Sequence, residues 1–344
     1  MKLELLHNTA IDMAAEFGDE SWHCASYVPF KDGRLVMLAK PYGTGDYWLV
    51  QLRDGKVDKR KLPAALHAEM LEFADAYWDD QHHYRLSLKA FSVGGKLALL
   101  LADRKLYLLD DISSELVPLD IDNALAKWSS EFEQEEPGYA SAPSRKATFF
   151  AQDFGPTQDQ RVPVTFRGFH CDSVNNFLAL LSVDVAQGRA RWEAGRLPHA
   201  PMTIQYGPYL GNTGYACFSH AAWQGSTGLA FGVGNMEPHF RLGMQFVELL
   251  EIDERANVLA SRLTIDEACY GKFSADLKWL LLTPMYKKYS RKGKQTVVAL
   301  ENHAETPIAL PRGCTKLRVL DILGEHAWLA GDDSSAIVSC RIAT

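Results

Sequence analysis

The stretch KFSADLKWLLLTPMYKKYSRKGKQTVVALENHAETPIALP, Lys272 to Pro311, decides how the rest of the chain is read. Its apolar residues fall in short runs punctuated by turn residues. A turn at Asp276 to Lys278 leads into a strand at Trp279 to Thr283. A basic hairpin follows, then strands at Thr296 to Glu301 and Pro307 to Leu310. Short strand-forming runs bounded by turn signals and joined by hairpins spell an antiparallel sheet.

The same unit recurs on both sides. DGRLVMLAKPYGTGDYWLVQLRDGKVDKRKLP from Asp32 and GGKLALLLADRKLYLLDDISSELVPLD from Gly94 each give a strand, a hairpin, a second strand, a turn and a closing strand. Looser copies begin at Asn175 (NNFLALLSVDVAQGRARWEAGRLP), Met244 (MQFVELLEIDERANVLASRLT) and Leu317 (LRVLDILGEHAWLAGDDSSAIVSCRI). At the ~40 to 50 residues per blade of ring-shaped repeat proteins, the spacing predicts six or seven four-stranded units in one all-β domain spanning residues 1–344. The segment FSADLKWLLL, Phe273 to Leu282, resembles the second-strand signature of WD40-like β-propeller repeats, in which a serine, an aspartate and a turn precede a buried apolar strand. The resemblance is one of architecture: it implies a β-propeller and carries no catalytic or binding residue with it.

The last copy ends near Ile342 with three strands in view, while KLELL, Lys2 to Leu6, is a strand without a sheet. Pairing the two completes a blade, closes the ring and leaves no open sheet edge there.

Between units, three excursions change their apolar period from two to that of a helix. The first, Thr9 to Phe17, offers Thr9 as a cap and Ile11, Met13 and Phe17 as apolar positions. The second, Pro63 to Tyr77, places Leu66, Met70, Phe73 and Tyr77 on one side. The third, Asp122 to Gln134, aligns Leu125, Trp128 and Phe132 behind Asp122. All three join an outer strand to the next inner strand, so they are predicted to decorate one face of the ring. Residues 8–20, 63–83 and 122–136 together hold fourteen acids and one base, Lys127, a net −13 in a chain of −7, so by subtraction the remainder carries about +6. A concentrated acidic surface attracts basic partners and repels nucleic acid. The expected ligand is therefore a basic protein, met by Glu69, Glu72, Asp75, Trp78, Asp79, Asp80, Glu131 and Glu133. An inhibitor or immunity-type protein that masks a basic active site is the sharper version of that reading.

Composition sets the remaining bounds. The 344 residues are 47% hydrophobic and 23% charged, enough for a sizeable core. The opening MKLELLHNTAIDMAAEF has no apolar stretch of signal-peptide length, and no window elsewhere holds the run of about 20 apolar residues of a membrane helix. Cys24, Cys171, Cys217, Cys269, Cys314 and Cys340 are scattered without CxxC spacing. A soluble cytoplasmic protein with reduced thiols is expected.

Chemistry-bearing motifs are few. His23-Cys24 and His170-Cys171 read as strand neighbours whose side chains point to opposite faces, which no nucleophile and base can do. WDDQHH, Trp78 to His83, supplies too few groups for a metal site. Gln205 to Phe240 is rich in glycine and aromatics, and His220, Trp223 and His239 are its candidate pocket residues, with a small molecule as ligand. Gly232-x-Gly234 lacks the third glycine and the helix of a dinucleotide fingerprint. The hairpin MYKKYSRKGK, Met285 to Lys294, reads as a solvated tip. No P-loop, nucleophile elbow or HExxH is present. The expectation is a non-catalytic binding propeller with no cofactor or metal. The alternatives are a hydrolase or lyase with its pocket in the central channel or near residues 205–240, and a structural subunit of a larger assembly.

Overall fold

The computed structural model describes residues 1–6, 11–17, 22–41, 46–75, 88–101, 105–122, 148–156, 160–170, 173–193, 217–224, 227–235, 245–253, 258–265, 269–284, 294–331 and 336–343. The chain opens with β1 (Lys2–Leu5), β2 (Ile11–Asp12) and α1 (Met13–Phe17). The first sheet is β3 (Trp22–Pro29), β4 (Leu35–Pro41), β5 (Trp48–Arg53) and β6 (Lys56–Lys61). After α2 (Ala64–Asp75), the second is β7 (Leu88–Val93), β8 (Lys96–Leu101), β9 (Lys105–Leu109) and β10 (Val117–Asp122). The third is β11 (Thr148–Phe154), β12 (Arg161–His170), β13 (Ser173–Asp184) and β14 (Arg189–Glu193). The fourth is β15 (Cys217–Gln224), β16 (Thr227–Asn235), β17 (Gln245–Ile252) and β18 (Val258–Ile265). The fifth is β19 (Cys269–Phe273), β20 (Trp279–Pro284), β21 (Thr296–Ala299) and β22 (Glu305–Pro307), and the sixth holds β23 (Arg318–Leu323), β24 (His326–Ala330) and β25 (Ala336–Ala343).

Every sheet is an antiparallel meander, and the buried residues between sheets form a closed cycle. Val36 and Leu38 of the first sheet pack on Leu97 and Leu99 of the second. Ala98 and Leu100 meet Val164 and Leu181 of the third. Leu178 and Leu180 meet Trp223 and Leu250 of the fourth, whose Leu249 packs on Phe273 and Leu280 of the fifth. Leu281 and Val297 then meet Ile322 and Leu329 of the sixth. Finally Trp328 and Ile337 of the sixth pack on Leu35 and Met37 of the first. The described residues thus form six blades with six cores between them. The fold is a β-propeller.

Closure is as the sequence reading expects. β1 pairs antiparallel with β25, Leu3 opposite Ile342 and Leu5 opposite Cys340, and so supplies the fourth strand of the last blade. It also reaches the fifth blade: Leu3 N donates to Ala309 O at 3.0 Å and Ala309 N to Met1 O at 2.8 Å. A second seam joins the outer strands of blades two and three, where β10 and β14 pair in parallel.

The turn that first suggested the fold has a physical basis. Ser274 Oγ donates to Asp276 Oδ1 at 2.7 Å and accepts from Trp279 N at 2.9 Å, closing the β19–β20 hairpin. Asp276 Oδ2 accepts from Gly324 N of the sixth blade at 3.0 Å, so the same carboxylate ties two blades together.

Four expectations need correction. The first excursion is a strand before it is a helix: β2 pairs with β25, and α1 begins only at Met13 because Asp12 Oδ1 accepts from Ala15 N, making Asp12 the cap. Thr9 lies outside the described residues. The second helix begins at Ala64 rather than Pro63 and is described as far as Asp75; residues 76–77 lie outside the described residues. The last strand of the fifth blade is Glu305–Pro307, two residues earlier than expected, because residue 309 is taken up by the N-terminal segment. Of the third excursion, Asp122 is the last residue of β10 and pairs with Arg191 of β14 rather than opening a helix, and residues 123–134 lie outside the described residues.

Blades three and four approach so closely that a Cβ on Gly155 would lie 1.6 Å from Ala221 O. Overpacking a core costs about 1–3 kcal/mol, and a clash with backbone falls at or above the upper end. Gly155→Ala is expected to lower the unfolding free energy read from urea melts by at least that upper value, whereas Gly95→Ala, with open space around its Cβ, shows only the smaller strain of its positive φ.

Candidate functional site

An inner strand of a propeller has one edge in its own sheet and the other toward the axis, where no ladder partner exists. Its free N–H and C=O groups must find partners elsewhere. Here side chains of neighbouring blades provide several of them. Four inner strands carry a register shift: between Cys24 and Ser26, Ala151 and Asp153, Phe218 and His220, and Val319 and Asp321. In each, the residue just past the shift is polar. A bulge re-aims a side chain, and two of these four reach the next blade. Ser26 Oγ accepts from Ala90 N at 3.0 Å, and His220 Nδ1 accepts from Phe273 N at 3.2 Å.

His220 is buried, and that burial lowers its pKa to about 4, with Asp153 and a bond to the Phe154 backbone acting the other way. The ring is therefore neutral near pH 7, as an Nδ1 acceptor must be. Lys272, on β19, pairs with Asp321 Oδ2 at 2.7 Å and donates to Leu320 O at 3.3 Å. Burial raises the Asp321 pKa, and Lys272 opposes that shift. Enclosure pushes Cys24 up to about 12, although Lys89 and Lys272 lie near enough to favour the thiolate. The thiol donates to Ser26 O at 3.2 Å. Ser26, His220, Lys272 and Asp321 thus fasten neighbouring blades, while the Cys24 thiol bonds within its own strand.

The predicted pocket pair is not brought together. His220 and Trp223 sit on opposite faces of β15: His220 bonds to the fifth blade, and Trp223, 1% exposed, packs with Leu178 and Leu180 of the third. Arg161 lies 5.3 Å from the Trp223 ring. His239 lies outside the described residues. Among the described residues no group of three or more His, Cys, Asp or Glu is placed to hold a metal ion, and no helix is long and apolar enough to cross a membrane.

The second candidate surface is the side bearing the helices. α1 docks on the leading end of β5, Phe17 against Trp48 at 5.4 Å between ring centroids, with Lys59 beside Phe17 and paired with Glu16. α2 buries Leu66 between blades one and two and is held to the leading part of β9 by Glu69, which pairs with Lys105 and accepts from Tyr107 Oη at 3.1 Å. Both helices therefore lie at the end where third strands begin, which is one side of the ring. Of the predicted contact residues, Glu69 serves to seat α2. Glu72 and Asp75 belong to that helix. Trp78, Asp79, Asp80, Glu131 and Glu133 lie outside the described residues.

No protein-family model and no curated protein matches this chain. Among solved structures it is similar to Saccharomyces cerevisiae Sqt1, at 7% identity and a TM-score of 0.40 over 100% of this chain and 99% of that one. An oligogalacturonate lyase in complex with manganese gives 9% and 0.44 over 100% and 97%. YCF48 bound to a D1 peptide gives 7% and 0.41 over 99% and 99%. No role is carried from them to any residue here.

Two outcomes test the axis. A histidine whose folded pKa lies below its unfolded value contributes full stability above about 6.5 and loses it as pH falls toward 4. Wild type should lose about 3 kcal/mol from this group over that window. Asp321 shifts in the opposite sense, so the readout is the difference between wild type and His220→Asn, which keeps an acceptor for Phe273 N but does not titrate. Equal pH slopes in urea melts would refute the assignment. Cys24 and Cys340, both raised to about 12 by burial, should resist iodoacetamide at pH 8 in the folded protein and react once urea unfolds it, as peptide mass spectrometry reads directly.

Proposed function

We propose that this chain is a non-catalytic binding protein that engages a basic partner protein through its helix-bearing side. The observation that carries this reading is that α1 and α2 lie at one end of the ring, in connections that belong to the acid-rich segments. Asp12, Glu16 and Glu69 are engaged within the chain. Removing these three still leaves eleven acids against Lys127 in residues 8–20, 63–83 and 122–136. The contact then falls to Glu72 and Asp75 on α2 and to Trp78, Asp79, Asp80, Glu131 and Glu133 in the following segments.

The condition of the axis favours binding over catalysis. A hydrolase or lyase needs a base or nucleophile free to meet substrate. The imidazole and the Lys272–Asp321 pair are spent on the fold, and the Cys24 thiol is held protonated. An inhibitor that masks a basic surface, acting in a reducing cytoplasm, is the sharper form of this proposal.

The test is affinity capture from native lysate at low and high salt, with wild type and with the reversal Glu72→Lys, Asp75→Lys, Glu131→Lys and Glu133→Lys. A basic protein retained by wild type at low salt, released at high salt and lost by the reversed protein is the expected result, since surface charge pairs weaken with ionic strength. Equal retention of that protein by both would overturn the acidic contact.

A further inference from the structure

Gln295, just before β21, pins both ends of the connection that leads from the fifth blade into the sixth. Its carbonyl accepts from Ile308 N at 3.0 Å. Its side chain accepts from Val319 N at 2.6 Å and donates to Val319 O at 3.0 Å. Between those anchors the chain folds back in two consecutive tight turns, Cys314 N donating to Pro311 O and Leu317 N to Cys314 O, both at 3.0 Å. Leu310 and Leu317 pack on the core between blades five and six, and Cys314 is buried. The charged residues left outside are Arg312, Lys316 and Arg318, joined by Lys294 beside Gln295, and all four are exposed. None has an ion-pair partner among the described residues. Residues 308–319 hold those three bases and no Asp or Glu. Like the connections that hold α1 and α2, this one joins an outer strand to the next inner strand, so the patch lies on the helix-bearing side.

Four like charges held together without a counter-charge make a local positive field in a chain of net −7. The turns and the Gln295 bonds fix the backbone in advance, so a ligand does not have to order it. We propose that this patch docks a short acidic segment of a partner protein, a run of Asp or Glu carboxylates. Arg312 and Arg318 offer forked N–H donors that match a carboxylate, and the two lysines add point charge. The next connection on the same side, residues 8–20, carries four acids and no Lys or Arg. A long polyanion such as a nucleic acid extends over that neighbour and is repelled by it, whereas a short carboxylate run ends with the patch. The docking does not rest on the basic-partner reading, since no acid of the helix connections takes part in it.

The test is fluorescence anisotropy of labelled hexaglutamate against the full chain at low and at high salt, with an oligothymidylate of equal charge as the second probe. The expected result is saturable binding of hexaglutamate at low salt, weakened at least about tenfold at high salt because exposed charge pairs are screened. Arg312→Glu with Lys316→Glu, both at exposed turn positions, should weaken it at least about tenfold. Lys31→Glu with Lys56→Glu, exposed at hairpins on the opposite end of the ring, makes the same change in net charge and should weaken it by less than about twofold. No hexaglutamate binding at low salt, an equal loss in both double variants, or oligothymidylate bound as tightly as hexaglutamate would each overturn the assignment.

Discussion

A four-stranded sheet with apolar residues on both faces cannot end at water on either side. Each blade here is such a sheet, and the only arrangement that gives every face a neighbour without a third layer is a ring. The pairing of β1 with β25 makes the last member of that ring complete. Without it the sixth blade would present an unpaired edge, and Leu3 would leave the core it shares with Leu281, Ile308 and Val338. The two ends of the chain thus hold a core that neither can form alone, and a contact spanning the whole sequence fixes the geometry of all the local ones.

A ring creates a problem at its axis, where the inner strand edges face one another without ladder partners. The chain answers it with bulges that turn Ser26 and His220 toward backbone donors of the next blade. Lys272 and Asp321 do the same work as an ion pair between blades five and six. Buried polar groups of this kind are expensive unless fully satisfied, and their satisfaction here explains why titratable residues at the centre of a propeller need not signal catalysis.

Much of the site was hidden in the sequence for identifiable reasons. His220 was legible as a polar residue in a glycine-rich segment, but its partner, Phe273 N, lies in another blade and is a backbone group that no side-chain motif announces. The strands β15 and β16 lie in the glycine- and aromatic-rich segment that reads as a candidate pocket and not as one of the repeat copies. Gly228 is a strand residue under the Trp223 ring, whose Cζ3 would lie 2.5 Å from a Cβ there. Glu69 counted equally with Glu72 and Asp75 as an acid on a helix, and only the position of β9 shows that Lys105 and Tyr107 claim it.

The alternation of apolar runs and turn residues, the Ser274 and Asp276 turn and the orphan strand at Lys2 determined an all-β ring closed through its termini, because strand and hairpin preferences are local and each blade repeats them. The first two helix-like excursions were also local and readable, to within a few residues at their starts. That Glu69 is engaged by β9 and that His220 is a neutral acceptor for the next blade were decided only by the tertiary structure. Those properties arise between blades, from distances across the ring that no stretch of sequence contains.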